Sequence, residues 1–188
     1  MKKIFFLIIA VCSINIASAQ TKVGGVVLPN SLNYGNNNLV LNGAGVREKL
    51  WIDLYAGGLY LSDKTSDART ILMANKPMAI KLHIISKLIT SDKMLDAVNE
   101  GFENSTNGNT SHISAEISQF QGLFNEEIRK NDVFDLIYSP GKGVVVLKNG
   151  EEKGVIKGEE FKKALFGIWL ANRPADDDLK EAMLGNNS

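Results

Sequence analysis

The sequence predicts an α+β protein in which a large antiparallel sheet is covered on one face by helices. Three observations lead there. Strand-type alternation recurs in segments that follow one another through short turns, and strands joined by hairpins pair antiparallel. The helical periodicities are clustered, around residues 91–128 and again after 159, instead of alternating with single strands. The βαβ repetition of a nucleotide-binding fold is missing.

Taken in order, residues 22–28 read as a short strand ended by Pro29 and Asn30, and 33–38 as a polar loop before a strand at 39–41. From 46 to 61 the pattern is long and β-like, with Leu50, Ile52 and Leu54 on one face and Trp51, Asp53 and Tyr55 on the other. Gly57-Gly58 within it predicts a bulge, a bend or the close approach of another backbone. Residues 66–74 predict a short helix after a Ser cap, and 78–85 a strand whose Met78, Ile80, Leu82 and Ile84 form a buried face. Thr90 or Ser91 caps a helix running to about Phe102. Ile113, Ile117, Phe120, Phe124 and Ile128 recur at helical spacing. Residues 133–138, 144–147 and 155–156 form a meander, turning at Ser139-Pro140-Gly141 and at Asn149-Gly150, a strong hairpin signal. Residues 159–171 predict a helix with Phe161, Leu165, Ile168 and Trp169 inward. Pro174 opens a last helix, with Asp176 to Asp178 at its positive end.

The N-terminus carries an expectation of export. Lys2 and Lys3 precede an apolar run over 4–11, and Ala17-Ser18-Ala19 supplies a small-x-small cleavage pattern before Gln20. The run is too short to span a bilayer. Val11 stands before Cys12 where a lipoprotein signal has a small residue, so no lipid anchor is expected. Of 188 residues, 169 would remain as one domain, periplasmic or secreted. Cys12 is the one cysteine and leaves with the signal, so no disulfide or thiol chemistry is expected. Losing Lys2 and Lys3 leaves 19 basic residues against 21 acidic ones, which gives no electrostatic case for nucleic acid or an anionic membrane surface.

Gly43-Ala44-Gly45-Val46-Arg47 is the first candidate functional segment. As a phosphate loop it lacks the third glycine, the Lys-Ser/Thr and the following helix. As a tight turn between strands it needs no function, yet it places Arg47 at the start of an apolar strand beside glycines that leave room for a ligand. This segment, followed by Leu54-Tyr55-Ala56-Gly57-Gly58-Leu59-Tyr60-Leu61, resembles the glycine-arginine turn and long strand of the chalcone isomerase family. Gly167-Ile168-Trp169-Leu170, Pro174 and residues 179–184 resemble the closing segment of its bacterial, exported branch. The resemblance spans about 39–184 and implies an open-faced β-sandwich with a ligand cleft between sheet and helices.

In the enzymes of that family an arginine in the glycine turn and a threonine on the long strand serve an intramolecular oxa-Michael ring closure. Arg47 matches the arginine, while Tyr55 stands in the threonine's place. The tyrosine and asparagine that the enzymes carry on a later helix fall, without gaps, on Met94 and Gly101, which donate no proton. An arginine with a tyrosine resembles instead the family's non-catalytic, fatty-acid-binding members, where such a pair holds a carboxylate. The resemblance therefore implies Arg47 and Tyr55 as ligand-binding residues for a small amphipathic carboxylate, with no cofactor. The guanidinium fork matches two carboxylate oxygens and a phenol adds a third bond. Eight residues apart on an ideal strand, the two side chains share a face. The competing readings are that Arg47 caps a loop or pairs with Glu48 or Asp53 while Tyr55 is core, and that the protein is an isomerase acting on an enone. His83 and His112 stand without Cys, His-x-x-x-His or acidic clusters, so no metal site is expected. No nucleophile elbow is present.

Overall fold

A computed structural model describes residues 20–186, so the expected export signal lies outside the described residues. Seven strands form one antiparallel sheet in sequence order: β3 (Ser31–Tyr34), β4 (Asn37–Lys49), β5 (Ile52–Leu61), β6 (Met78–Ile84), β7 (Val133–Ser139), β8 (Gly143–Lys148) and β9 (Glu151–Ile156). Ahead of them β1 (Gln20–Val23) and β2 (Val26–Pro29) make a separate hairpin. The helices are α1 (Ala68–Met73), α2 (Ser91–Ser105), α3 (Ser114–Gln121), α4 (Glu159–Leu170) and α5 (Asp177–Met183). The α+β reading holds.

The sheet has a core on each face. On the helix side, Ile80, Leu82 and Leu136 pack under Phe102, Phe120, Phe161 and Leu165, all buried. Phe102, Phe120 and Phe161 meet with ring centroids 5.7–6.1 Å apart, the tilted and edge-on spacing that aromatic quadrupoles favour. On the opposite face Leu28, Leu39, Leu41, Tyr60, Ala79 and Val145 form a smaller cluster, and the Tyr60 hydroxyl donates to the Pro29 carbonyl at 2.9 Å. The β1–β2 hairpin thus lies on that face.

Several boundaries differ from the sequence expectation. The run at 22–28 is two short strands, turning at Gly24-Gly25, where φ is 55° and 78°. The polar loop at 33–38 is the β3–β4 hairpin, paired from Ser31↔Val40 to Tyr34↔Asn37. The long pattern at 46–61 is divided between β4 and β5, which reverse at Leu50-Trp51. Gly43-Ala44-Gly45 lies inside β4 and is no turn. The helical spacing at 113–128 yields only α3 with a short tight turn at each end, Ser111–Ile113 and Gly122–Phe124, and Ile128 is buried from a loop. Pro174 precedes α5, and the Asp176 side chain caps that helix by accepting from the Leu179 N–H at 2.8 Å.

One irregularity in β4 positions the site. A register shift between Leu41 and Gly43 inserts Asn42 as an extra residue, and such a bulge exchanges the two faces of a strand. Leu39 and Leu41 accordingly belong to the far cluster, whereas Gly43 and Gly45 lie under α5. A Cβ on Gly43 would stand 2.1 Å from the Ala182 carbonyl oxygen, and one on Gly45 2.5 Å from the Ala182 Cβ. The glycines are there to let a helix lie directly on the strand. Asn42 completes the joint, donating to the Met183 carbonyl at 2.8 Å and accepting from the Thr65 N–H at 2.9 Å.

Candidate functional site

Downstream of the bulge, β4 brings Arg47 directly opposite Tyr55 of β5. The two do share a face, but not for the reason their sequence spacing gives. Eight residues along a single strand would separate them by ~26 Å, too far for one carboxylate. The reversal at Leu50-Trp51 makes them cross-strand partners, which stand ~4.5–5.5 Å apart at Cα. The Arg47 guanidinium carbon lies 5.7 Å from the Tyr55 ring centroid.

The two side chains are held differently. Tyr55 is 2% exposed, and its hydroxyl accepts a hydrogen bond from Trp169 Nε1 of α4 at 2.9 Å. Burial raises the phenol's pKa above its ordinary value, although the Arg47 charge and the Trp169 bond act against the shift. Tyr55 is therefore a neutral phenol at physiological pH. With Trp169 occupying one of its lone pairs, its O–H proton remains available to an acceptor in the cleft. Arg47 is half-buried, and among the described residues no carboxylate lies within ion-pair distance of it, neither Glu48 nor Asp53. The nearby Asp176 carboxylate is engaged elsewhere, accepting from the backbone N–H groups of Glu48 and Leu179.

Both side chains open into a cleft of about 420 Å³ between the β4–β5 hairpin, residues 88–89 and the first half of α2. That volume falls in the ~300–1,000 Å³ range of small-molecule sites. Leu50, Ile52, Leu54, Leu88, Ile89 and Met94 supply its apolar wall. Exposure falls along it, from Leu50 and Leu88 at the mouth to buried Ile89, Met94 and Tyr55. Lys49, Lys93, Asp96 and Glu100 stand on the exposed rim, where water and salt damp their charge.

The sequence-predicted positions separate here. Met94 lines the cleft as an apolar wall. Gly101 borders a neighbouring hollow that Arg47 also reaches, but its main office is packing: a Cβ there would lie 2.7 Å from Ile168 Cγ2 of α4. Sequence reasoning set Trp169 in the core and missed its bond to Tyr55. The inward spacing on α4 was the available signal, but a partner 114 residues away leaves no local trace. Among the described residues there is no group of three or more His, Cys, Asp or Glu placed to hold a metal ion, and no helix long and apolar enough to cross a membrane.

A curled antiparallel sheet with helices over one face and a cleft at one end of that layer defines the class. The family model described as chalcone isomerase-like matches residues 20–185, and the chain belongs to that family. Among solved structures it is similar to a fatty-acid binding protein of Arabidopsis thaliana, with 21% sequence identity and a TM-score of 0.68, over 86% of this chain and 93% of that one. At that identity the likeness shows the fold. Comparison with curated protein sequences returns no match.

Proposed function

We propose that this chain binds a small amphipathic carboxylate, fatty-acid-like in chemistry, in the cleft between the β4–β5 hairpin and α2, and does so without catalysis. The observation that carries the reading is a half-buried guanidinium with no carboxylate partner among the described residues, set across the strand pair from a buried phenol whose oxygen accepts from Trp169. A bound carboxylate supplies the charge that Arg47 lacks, accepts from the Arg47 fork and from Tyr55, and leaves its alkyl tail against Leu54, Ile89 and Met94. The fatty-acid-binding description of the Arabidopsis protein of this fold supports the same class of ligand.

The runner-up is an intramolecular lyase acting on an enone. Tyr55 could polarise a carbonyl through its hydroxyl, and that is the observation in its favour. Against it, Met94 donates no proton and Gly101 is committed to the contact with Ile168.

Native mass spectrometry of purified protein tests the reading. A lipid-sized adduct that disappears on delipidation and returns with decanoate is expected. A bare protein that takes up no decanoate contradicts it, as does enzyme-dependent turnover of a chalcone panel. Export through a signal cleaved before Gln20 is part of the proposal. N-terminal sequencing of protein recovered outside the cytoplasm should begin at Gln20, and an intact Met1 would refute this part.

A further inference from the structure

Six large apolar side chains are exposed among the described residues; three of them, Leu50, Ile52 and Leu88, gather at the mouth of the cleft, and a fourth, Trp51, stands in the turn between Leu50 and Ile52. Trp51 is 90% exposed and Leu50 75%. These two also form the turn, both at positive φ (53° and 62°), as a two-residue hairpin of the I′ type requires. Asn and Gly are the residues such a turn favours, and large side chains adopt that backbone only at a cost. The chain thus accepts both strain and apolar exposure at one protruding point.

We infer that the β4–β5 tip is a bilayer-docking element through which the cleft exchanges its ligand with a lipid surface. The inference rests on the reading of the cleft as a site for an amphiphile. The patch is continuous with the cleft: Leu50, Ile52 and Leu88 belong both to the exposed tip and to the cleft wall. An amphiphile leaving a bilayer there would keep its tail against apolar surface throughout, avoiding the cost of exposing it to water. Tryptophan is the residue that favours the bilayer interface, where an apolar ring and a wet edge are both satisfied. Lys49 at the foot of the turn, Lys87 beside Leu88 and Lys93 in the first turn of α2 are exposed. Glu48, Asp53, Asp92, Asp96 and Glu100 are exposed alongside them and outnumber them, so insertion is apolar and does not depend on anionic headgroups. A protruding two-residue tip offers a protein partner little area, whereas a bilayer accepts it from any direction in its plane.

The test uses the fluorescence of Trp51, because Trp169 is buried and already hydrogen-bonded and serves as a constant background. Addition of phosphatidylglycerol/phosphatidylcholine vesicles should shift the emission to the blue and carry the protein with the vesicles on flotation. Phosphatidylcholine vesicles alone should do so about as well. Trp51→Asn should weaken flotation about tenfold or more, the loss expected for one aromatic ring returned to water. The same variant should bind decanoate in vesicle-free buffer as wild type does, since Trp51 does not line the cleft. Failure of wild type to float overturns the docking inference while decanoate binding leaves the cleft reading standing. Flotation without decanoate binding leaves the tip as a bilayer-docking element but overturns the cleft reading, and with it the exchange of ligand. A blue shift that grows with protein concentration in the absence of vesicles would identify the tip as a contact between copies and overturn the inference.

Discussion

Replacing Gly43 and Gly45 by alanine, singly, tests whether α5 rests on β4 in the way described. The two positions meet different atoms. The Gly43 Cβ would strike backbone, 2.1 Å from the Ala182 oxygen and 2.8 Å from both the Met183 oxygen and the Gly185 nitrogen. The Gly45 Cβ would strike a side chain, the Ala182 methyl at 2.5 Å, with Leu179 Cδ1 next at 3.3 Å. Overpacking costs ~1–3 kcal/mol, and more where nothing can give. Gly43→Ala should therefore cost ~3 kcal/mol or above, because α5 and the Asn42 joint must lift together. Gly45→Ala should cost ~1–2 kcal/mol. At ~2–4 °C per kcal/mol for a chain of this size, Tm should fall by ~6–12 °C and ~2–8 °C respectively. The decisive arm is Ala182→Gly, which alone costs ~1 kcal/mol for a glycine within a helix. It removes the methyl that Gly45→Ala meets and leaves the carbonyl that Gly43→Ala meets. In a double-mutant cycle it should recover most of the Gly45→Ala loss and none of the Gly43→Ala loss. Equal rescue of both, or a Gly43→Ala protein melting with wild type, would refute the packing account.

Two further outcomes follow from particular residues. Exchanging the turn as Leu50→Asn with Trp51→Gly should raise stability by ~1–2 kcal/mol, read by urea titration, because Asn-Gly takes positive φ at little cost; a loss would show that the tip is not strained. Lys162, buried on α4, donates to the Leu72 and Ala74 carbonyls at 2.8 Å each and lies 5.1 Å from the Tyr138 ring centroid, and burial, with the neighbouring Lys163, lowers its pKa to about 8. Since the unfolded lysine titrates near ~10.4, the unfolded chain binds more protons between those values and stability must rise with pH there. Urea midpoints should increase from pH 8 to 9.5 in wild type and this increment should vanish in Lys162→Met. An identical pH profile in the two proteins would contradict the assignment.

The sheet was largely readable in the sequence, and the reasons are local. Asn149-Gly150 and Ser139-Pro140-Gly141 carry turn chemistry between alternating runs, so β7, β8 and β9 could be laid out without tertiary information. The β4–β5 reversal could not, because Leu50-Trp51 has the composition of a strand and the backbone of a turn. The same segment misled in the opposite sense at Gly43 and Gly45, where turn-forming residues serve helix contact inside a strand. Both errors arise where a residue answers to a distant partner or to a surface instead of to its neighbours in the chain. Arg47 and Tyr55 were legible as a pair through the family resemblance, whereas their adjacency, the Trp169 bond and the apolar tip all depend on the unsignalled turn.

Calorimetric titration of delipidated protein with decanoate, in wild type, Arg47→Ala and Tyr55→Phe, tests the carboxylate anchor most directly. A buried carboxylate deprived of its cationic partner is left uncompensated at ~3–5 kcal/mol, so Arg47→Ala should bind more than a hundredfold more weakly. Removing the phenol hydroxyl deletes one hydrogen bond to a charged group, ~1.5–3 kcal/mol, so Tyr55→Phe should lose about tenfold to a hundredfold. Arg47→Lys should recover affinity only in part, since an ammonium cannot reproduce the two-pronged fork. Circular dichroism establishes that each variant is folded before titration. Arg47→Ala protein that binds decanoate as tightly as wild type would contradict the account and return Arg47 to the strand as an ordinary surface cation.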